Sequence, residues 1–119
     1  MPTRIAKSFT FDAAHRLPHV PPGHPCGRLH GHTYTVTVAL EGEPDPALGW
    51  LVDFGEIKAA AQPLVERLDH TCLNEVPGLA NPTAELLARW FYEALAPRLP
   101  GLVEVTVQET PTASATYRR

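Results

Sequence analysis

The residues with the clearest chemical potential are three histidines in the first third of the chain. His30 and His32 are separated by one glycine, so in an extended strand their side chains point to the same face. Positions two apart in a strand lie roughly 6.5–7 Å from each other, a span that two imidazoles can close onto one zinc ion. His15 offers a third ligand upstream. Three histidines leave the fourth position of a tetrahedral zinc open, which is the pattern of a catalytic site.

Cys26 lies four residues before His30, in a segment rich in proline and glycine. Two functional interpretations of this cysteine stay open. It could be a fourth zinc ligand that closes a structural site. It could instead be a thiolate beside the metal, with a lowered pKa that makes it a usable base or nucleophile. Such a loop is a poor place for an inert buried thiol, so we expect Cys26 to be functional, whereas Cys72 is better explained by packing.

Two further places in the sequence could contribute chemistry, the pair Asp69-His70 and the single residue Glu109. Asp69 and His70 directly follow a predicted helix. An aspartate can raise the basicity of a neighbouring imidazole, but the residues alone favour an ordinary helix end with a cation near its negative pole. Glu109 continues the register of three valines in a predicted strand. It either points to the buried face, where it could grip a guanidine-like edge through two hydrogen bonds, or lies in solvent beyond the strand.

Strands and helices must position these groups. Alternation predicts strands over 4–12, 30–41 and 102–109, and a last short strand around 114–118,. A stiffened, proline-rich loop is expected over 17–29, between the first two strands. His30 and His32 share the register of the apolar face of the second strand, so we expect them to point inward at its mouth.

Two helices are predicted between the second and third strands. Asp53 begins the first as N-cap, with Glu56 completing a capping box, and Pro63 is expected to kink this helix or break it in two,. The second begins at Asn81-Pro82-Thr83, with Pro82 as its first helical residue, and ends at Pro97. The order of elements predicts an α+β fold with antiparallel pairing and both helices on one face of the sheet.

Length and composition set the class of protein. The chain has 119 residues, of which 44% are hydrophobic, and a net charge of −3. We expect one domain over 1–119 with a packed core. No basic stripe favours nucleic-acid binding, and no apolar stretch is long enough to cross a membrane, so we expect a cytoplasmic protein. Phosphate-binding glycine motifs and the Gly-x-Ser-x-Gly elbow are absent from the sequence.

Several motifs occur together along nearly the whole chain. They are Phe11-Asp12-Ala13-Ala14-His15, Cys26-x-x-x-His30-Gly31-His32, Asp53-Phe54, Leu68-Asp69-His70, Leu73-Asn74, Asn81-Pro82-Thr83-Ala84-Glu85 and Glu109-Thr110. In this order they resemble the 6-pyruvoyl-tetrahydropterin synthase family. The stretches Ala14–Pro21 and Cys26–His30 resemble its bacterial 6-carboxy-5,6,7,8-tetrahydropterin synthase branch, which serves queuosine and deazapurine biosynthesis. One departure is Ala84, where the family usually has serine.

The resemblance implies a particular architecture and assembly. The tunnelling fold of this family has a four-stranded antiparallel sheet with two helices on one face, in the order ββααββ. Three sheets would join edge to edge and two such rings would stack, giving a homohexamer that is a dimer of trimers. This assembly would also remove the exposed edges of a small open sheet. The active sites would lie between subunits.

The resemblance also implies roles for the site residues. His15, His30 and His32 would bind Zn²⁺, Cys26 would be the base, and Asp69 with His70 would relay protons. Glu109 would anchor the pterin and could share in the relay, with Thr110 and Thr83 as further substrate-binding residues. The substrate would be 7,8-dihydroneopterin triphosphate, a small molecule, converted to a 6-carboxy pterin with release of acetaldehyde and triphosphate.

Two alternatives stay open at this point. The same fold could make a 6-pyruvoyl pterin from the same substrate, or Cys26 could complete the structural site of a non-enzymatic zinc module. The groups that bind the triphosphate are not identified by the motifs. Arg28, Lys7 and His24 are candidates by charge and location only.

Overall fold

A computed structural model describes residues 2–119. It contains five strands, namely β1 (Thr3–His15), β2 (His30–Gly42), β3 (Thr71–Cys72), β4 (Leu102–Thr110) and β5 (Ala113–Arg118). Two α-helices, α1 (Phe54–Leu68) and α2 (Ala84–Leu95), lie between β2 and β4 in the chain. Short 3-10 helices cover Pro25–Gly27 and Leu73–Glu75. The α+β class and the order of the long elements agree with the prediction.

The strands form one mixed sheet with the spatial order β3-β1-β2-β4-β5. The four longer strands pair antiparallel, as expected, whereas β3 pairs parallel with β1 through Ala13 and Ala14. A purely antiparallel sheet of four strands was therefore wrong in detail. A strand of two residues has no alternation that a sequence could show. It forms because the chain leaving α1 turns back along the edge of β1.

The long hairpin of β1 and β2 determines where the histidines lie. The strands pair from Thr3 with Gly42 down to His15 with His30. The first strand thus continues three residues beyond the predicted end at 12. Ala13 and Ala14 are weak strand formers, so the sequence pattern fades there, but pairing with β2 keeps this segment extended. All three histidines consequently lie at one end of the same hairpin.

The two helices pack on one face of the sheet and bury a single core. Alternate strand residues enter it, including Phe11, Tyr34, Val36, Val38, Val105 and Val107. Helix α1 contributes Ile57, Ala61 and Leu68, and α2 contributes Leu87, Phe91 and Leu95. The opposite face bears polar side chains such as Ser8 and Thr37, which hydrogen-bond to each other at 2.8 Å. The sheet therefore has one covered face and one uncovered face.

Helix α1 begins where the sequence predicted. The side chain of Asp53 accepts a hydrogen bond from the Gly55 amide at 2.9 Å, which satisfies one of the free amides of the first turn. Pro63 lies inside a continuous helix, so the expected break in two was wrong. Pro63 is exposed, and the buried positions on either side of it, Ala61 and Val65, hold both halves against the core. Packing thus outweighs the one lost backbone hydrogen bond.

Helix α2 begins two residues later than predicted. Thr83 is its N-cap and accepts a hydrogen bond from the Leu86 amide at 3.1 Å, so Pro82 precedes the helix and is not its first residue. The helix ends at Leu95, just before Pro97. Among residues 2–119, no helix has the length and apolar character needed to cross a membrane.

Candidate active site

Three histidine side chains meet at the end of the hairpin, on the covered face of the sheet. His15 comes from the last position of β1, and His30 and His32 come from the first positions of β2. One ligand nitrogen from each ring lies within 4.8 Å of the other two. The Nε2 atoms of His15 and His30 are 3.1 Å apart. This is the group that the sequence spacing predicted, and it is complete within one chain.

Backbone carbonyls orient two of the rings. The Nδ1 of His15 lies 2.8 Å from the carbonyl oxygen of Pro82, and the Nδ1 of His30 lies 2.7 Å from that of Arg28. A ring that donates from Nδ1 to a carbonyl keeps the lone pair of Nε2 free, which is how metal-binding histidines are commonly held. Burial lowers the pKa of His15, because desolvation disfavours the imidazolium form,. Both effects favour a neutral His15 with Nε2 turned inward, and the carbonyl of Arg28 turns Nε2 of His30 the same way.

The third ring provides the test of whether the group fits a metal. The Nε2 atom of His32 is buried and has no hydrogen-bond partner among the described residues. An unpaired buried nitrogen is costly unless something outside the chain binds it. Three neutral imidazole nitrogens converging on one point are a ligand set that suits zinc. The residues present therefore fit a zinc ion held by His15, His30 and His32.

Glu109 lies next to the histidines rather than in open solvent. Its Oε1 is 3.5 Å from Nε2 of His15 and 3.8 Å from Nε2 of His32, and its side chain is 28% exposed. The pairing of β4 with β5 is irregular between Gln108 and Thr110, which brings this carboxylate to the end of the strand. The carboxylate of Glu109 therefore contacts the histidine group and is also partly open to solvent. A ligand entering from solvent could reach both Glu109 and the histidines.

Tyr34 belongs to the core and also borders the site, a second role that the sequence analysis did not assign to it. It is fully buried, its ring packs edge-on against His15 and His32, and its hydroxyl has no partner among the described residues. Burial, together with the nearby Glu109 carboxylate, raises the pKa of Tyr34. The signal was present in the sequence, since Tyr34 continues the alternation of His30 and His32.

Asp69 and His70 lie at the opposite side of β1 from β2. The Oδ2 of Asp69 is 3.0 Å from Nδ1 of His70, and Asp69 accepts a hydrogen bond from the Asp12 amide at 2.9 Å. The amide of His70 donates to the carbonyl of Asp12 at 2.6 Å. The pKa of Asp69 is lowered, first by the Asp12 amide and then by His70. Asp12, which the sequence reasoning assigned no role, thus anchors the pair.

The Asp69–His70 pair and the histidine group form two separate clusters of ligand atoms. His70 lines a cavity of about 580 Å³ with Asp12, Ala14 and Thr33, and the lining of the same cavity includes His32. Among residues 2–119, the ligand atoms near His70 are those of Asp12 and Asp69, and the three histidines form a separate group. Within one chain, the side chains of the pair therefore do not join the cluster of the three histidines.

Cys26 is fixed through its backbone. Its amide donates to Nδ1 of His24 at 3.0 Å, and its carbonyl accepts from the Leu17 amide at 2.8 Å. Its thiol is free and partly buried. Within the described residues, Sγ of Cys26 is not among the clustered ligand atoms of the three histidines. This arrangement does not support a closed site with Cys26 as fourth ligand.

The two threonines have local hydrogen-bonding roles in the chain. Thr83 caps α2 and directly follows Pro82, whose carbonyl holds His15. Thr110 follows Glu109 and accepts a hydrogen bond from the Thr112 amide at 3.3 Å. Both therefore lie next to residues of the histidine site, although their hydroxyls also serve the local backbone.

Fold and site together define an α+β protein with an oriented three-histidine group at the mouth of a β-hairpin and a carboxylate beside it. Residues 4–119 match the model of the family described as 6-pyruvoyl tetrahydropterin synthase. The chain belongs to this family of enzymes.

Individual relatives support the same conclusion. The chain is 40% identical over 119 residues to a protein of a Synechocystis species named 6-carboxy-5,6,7,8-tetrahydropterin synthase, covering 95% of this chain and 91% of that one. It is 36% identical over 105 residues to a Pyrococcus furiosus protein named dihydroneopterin monophosphate aldolase, covering 88% and 85%. The solved structure of Caenorhabditis elegans 6-pyruvoyl tetrahydropterin synthase matches with a TM-score of 0.91 and 27% identity, covering 100% of this chain and 96% of that one.

Proposed function

We propose that this pterin lyase converts 7,8-dihydroneopterin triphosphate and one water into 6-carboxy-5,6,7,8-tetrahydropterin, acetaldehyde and triphosphate. The observation that carries the proposal is the oriented three-histidine group with Glu109 beside it. The relative named 6-carboxy-5,6,7,8-tetrahydropterin synthase, at 40% identity, favours the 6-carboxy product. We place the reaction in queuosine and deazapurine biosynthesis, in the cytoplasm, and treat residues 1–119 as one domain.

The residues of this chain divide the work of binding from that of proton transfer. Glu109 is placed to accept two hydrogen bonds from the amino-pyrimidine edge of the pterin, since a carboxylate matches two adjacent N–H donors. That contact puts the three-carbon side chain of the substrate over His15, His30 and His32. Zinc held by these histidines would supply Lewis acidity, which makes protons on the substrate side chain easier to remove.

Proton removal is assigned to Cys26. A thiolate in a stiff loop close in sequence to the cationic site is a suitable base near neutral pH. Asp69 and His70 would return and relay protons, because Asp69 fixes the ring of His70 through Nδ1 and leaves Nε2 for exchange,. Removal of triphosphate and cleavage of the side chain by water then leave the carboxyl group on the pterin and two carbons as acetaldehyde.

We propose that each active site draws on two chains. Within one chain the Asp69–His70 pair and the histidine group are separate clusters, and His70 is 78% exposed, so a neighbouring copy would present its pair to these histidines. A homohexamer built as a dimer of trimers provides such contacts and covers the edges of β3 and β5. Light scattering on the purified protein tests the assembly, and a stable monomer with full activity would contradict it.

The test of the reaction is product analysis by mass spectrometry. Zinc-loaded protein is incubated with 7,8-dihydroneopterin triphosphate, and we expect 6-carboxy pterin and acetaldehyde in equal amounts. A 6-pyruvoyl product would keep the site but move the protein to the other branch of the family. A parallel incubation with dihydroneopterin monophosphate tests the aldolase activity for which the Pyrococcus furiosus relative is named. No turnover of either substrate by zinc-loaded oligomer would contradict an enzymatic role.

The substitution Cys26→Ala separates an enzyme from a structural zinc module. We expect zinc to stay bound at one ion per chain, because the three histidines are complete without Cys26. We expect turnover to fall by about 10²- to 10⁴-fold, the usual contribution of a general base. Zinc content by elemental analysis and initial rates provide the two readouts. Loss of zinc in this variant would favour the structural module.

A further inference from the structure

A second cavity lies in the segment between β1 and β2. Its volume is about 320 Å³, and its lining includes three residues that can bind anions, Arg16, His24 and Arg28. The walls between them are made by Pro18, Pro21 and Pro22. Proline fixes the backbone, so the segment loses little entropy when a ligand binds. The cavity is thus a stiff pocket with positive charge.

Within the described part of the chain, the two arginines of this cavity have no acidic partner. Three other arginines do, since Arg4 and Arg118 both pair with Glu104, and Arg89 pairs with Glu93. In residues 2–119, no ion pair involves Arg16 or Arg28. Two like charges without a counter-charge attract an anion to the space between them, and guanidinium groups match phosphate oxygens in geometry.

The backbone places both arginines beside the histidine group. Arg28 gives its carbonyl to Nδ1 of His30. Arg16 directly follows His15, and Asn74 holds its backbone from both sides, accepting from its amide at 2.9 Å and donating to its carbonyl at 2.8 Å. Links of one or two residues along the backbone therefore join the lining of the cavity to two of the three histidines.

His24 connects the same cavity to Cys26. Its Nδ1 accepts the Cys26 amide, so the neutral ring carries its proton on Nε2 as a donor,. A ligand that binds His24 would also contact the residue that positions the proposed base.

The geometry points to this cavity as the subsite for the triphosphate group of the substrate, with Arg16 and Arg28 as its anion-binding residues and His24 as a further donor. The inference rests on the proposed function. Glu109 contacts the histidine group through His15 and His32, whereas two residues of the cavity lining are linked through the backbone to His15 and His30. A substrate with its pterin at Glu109 and its triphosphate in the cavity would lay its side chain across all three histidines.

Steady-state kinetics of Arg28→Ala and Arg16→Ala provides the test, with Arg98→Ala as control because Arg98 is exposed and lies in the turn after α2. The triphosphate is bound in both ground and transition states, so KM should rise about ten- to a hundredfold with kcat changed little. Arg28→Lys should have a KM between those of Arg28→Ala and the wild type, and Arg98→Ala should have the KM of the wild type. Competitive inhibition by 7,8-dihydroneopterin, which lacks the triphosphate, should be unchanged in all variants.

A binding measurement keeps this inference separate from the reaction itself. Calorimetric titration of zinc-loaded protein with inorganic tripolyphosphate, followed by measurement of retained zinc, needs no turnover. We expect binding by the wild type and at least tenfold weaker binding by Arg28→Ala. Equal binding by the two proteins, or an unchanged KM in both arginine variants, would overturn the subsite. A wild type that binds tripolyphosphate but turns over no pterin would contradict the proposed function and leave the anion site supported.

Discussion

The histidine group and the Asp69–His70 pair differ in how completely one chain builds them. At the histidine group, His15 is fully buried, two rings are oriented by backbone carbonyls, and the ligand nitrogens already converge. At the pair, the side chains of His70 and Asp69 are 78% and 41% exposed and open onto a cavity. The hairpin of one chain builds the histidine group completely, whereas the Asp69–His70 pair is exposed at the surface of the chain.

This difference fits the proposed roles of the two sites, metal binding at the histidines and proton relay at the pair. A metal site loses affinity when its ligands are free to move, so its geometry has to be fixed by the fold. A proton relay has to reach a substrate held elsewhere, so it can be delivered by another chain. His70 nevertheless has a φ of 59°, a left-handed conformation that is unfavourable for a residue with a side chain. The hydrogen bonds to Asp12 hold this conformation, which marks the pair as a positioned feature and not a frayed helix end.

The largest effect is expected from a substitution in the three-histidine group. His32→Ala removes a buried nitrogen that has no hydrogen-bond partner among the described residues. We expect bound zinc to fall well below one ion per chain and kcat/KM to drop by about 10³-fold or more, because the Lewis acid is lost with its ligand. Elemental analysis and initial rates measure the two effects together. An active variant without metal would disprove the zinc assignment.

The next prediction tests whether the pair acts on another chain. His32→Ala and His70→Ala are each expected to be nearly inactive as separate proteins. If each site takes its histidine group from one chain and its pair from another, random mixing of the two variants restores about a quarter of the sites. Co-expression with two different affinity tags, followed by tandem purification, provides the mixed oligomer for rate measurements.

The matched control for this experiment is His32→Ala mixed with Cys26→Ala. Cys26 and His32 lie on the same segment of the chain. If one chain supplies both residues to the same site, mixing these two variants forms no intact site and restores no activity. Recovery in the first mixture requires an intersubunit site for His70. Rates in the first mixture no higher than the sum of the separate variants would place the pair and the histidines in one chain, against the geometry.

The sequence predicted the histidine group well because local geometry determines it. Spacing of two residues in a strand puts His30 and His32 on one face whatever the rest of the fold does. His15 joins this pair of histidines as soon as the first two strands of the chain pair with each other, because it then lies opposite His30. The α+β class and the order of the long elements followed from alternation and helical spacing in the same way.

Other features depend on contacts that no local pattern contains. The strand β3 is too short to alternate, and Pro63 stays helical because flanking buried residues hold both halves of α1. Asp12 acts through its backbone amide and carbonyl, which every residue has. The backbone carbonyls of Pro82 and Arg28 orient His15 and His30, and any other residue at those positions would also offer a carbonyl. Such roles become visible only when distant segments are placed together.

A smaller effect is expected at the open edge of the histidine site. Glu109→Gln keeps the size of the side chain but removes the charge, and it exchanges one acceptor oxygen for a donor. Substrate binding should weaken by about ten- to a hundredfold, since one charge-assisted hydrogen bond is lost and another is mismatched. Zinc content should be unchanged, because the three histidines do not need this carboxylate. An unchanged KM with zinc retained would contradict the anchoring role.

The smallest effect concerns a charged cluster on the uncovered face that is structural only. Glu104 is buried against the guanidinium groups of Arg4 and Arg118, and these hydrogen bonds, Arg4 first, lower its pKa below the ordinary value of 4.5. A lowered folded-state pKa means that the pair stabilises the fold above about pH 4.5 and that this stabilisation is lost as the pH falls through the folded value. Because the arginine side chains are 45% and 70% exposed, solvent screening limits the contribution to about 1 kcal/mol or less.

Glu104→Gln is the matched variant for this cluster. It should unfold more easily than the wild type in urea at pH 7, and the difference should shrink as the pH falls through the lowered folded-state pKa of Glu104, where the wild-type carboxylate also becomes neutral,. Zinc content and kcat should stay at wild-type values, because Glu104 lies on the face away from the histidines. A loss of turnover with stability unchanged would contradict a purely structural role and would assign this cluster a part in catalysis, as proposed for the Asp69–His70 pair.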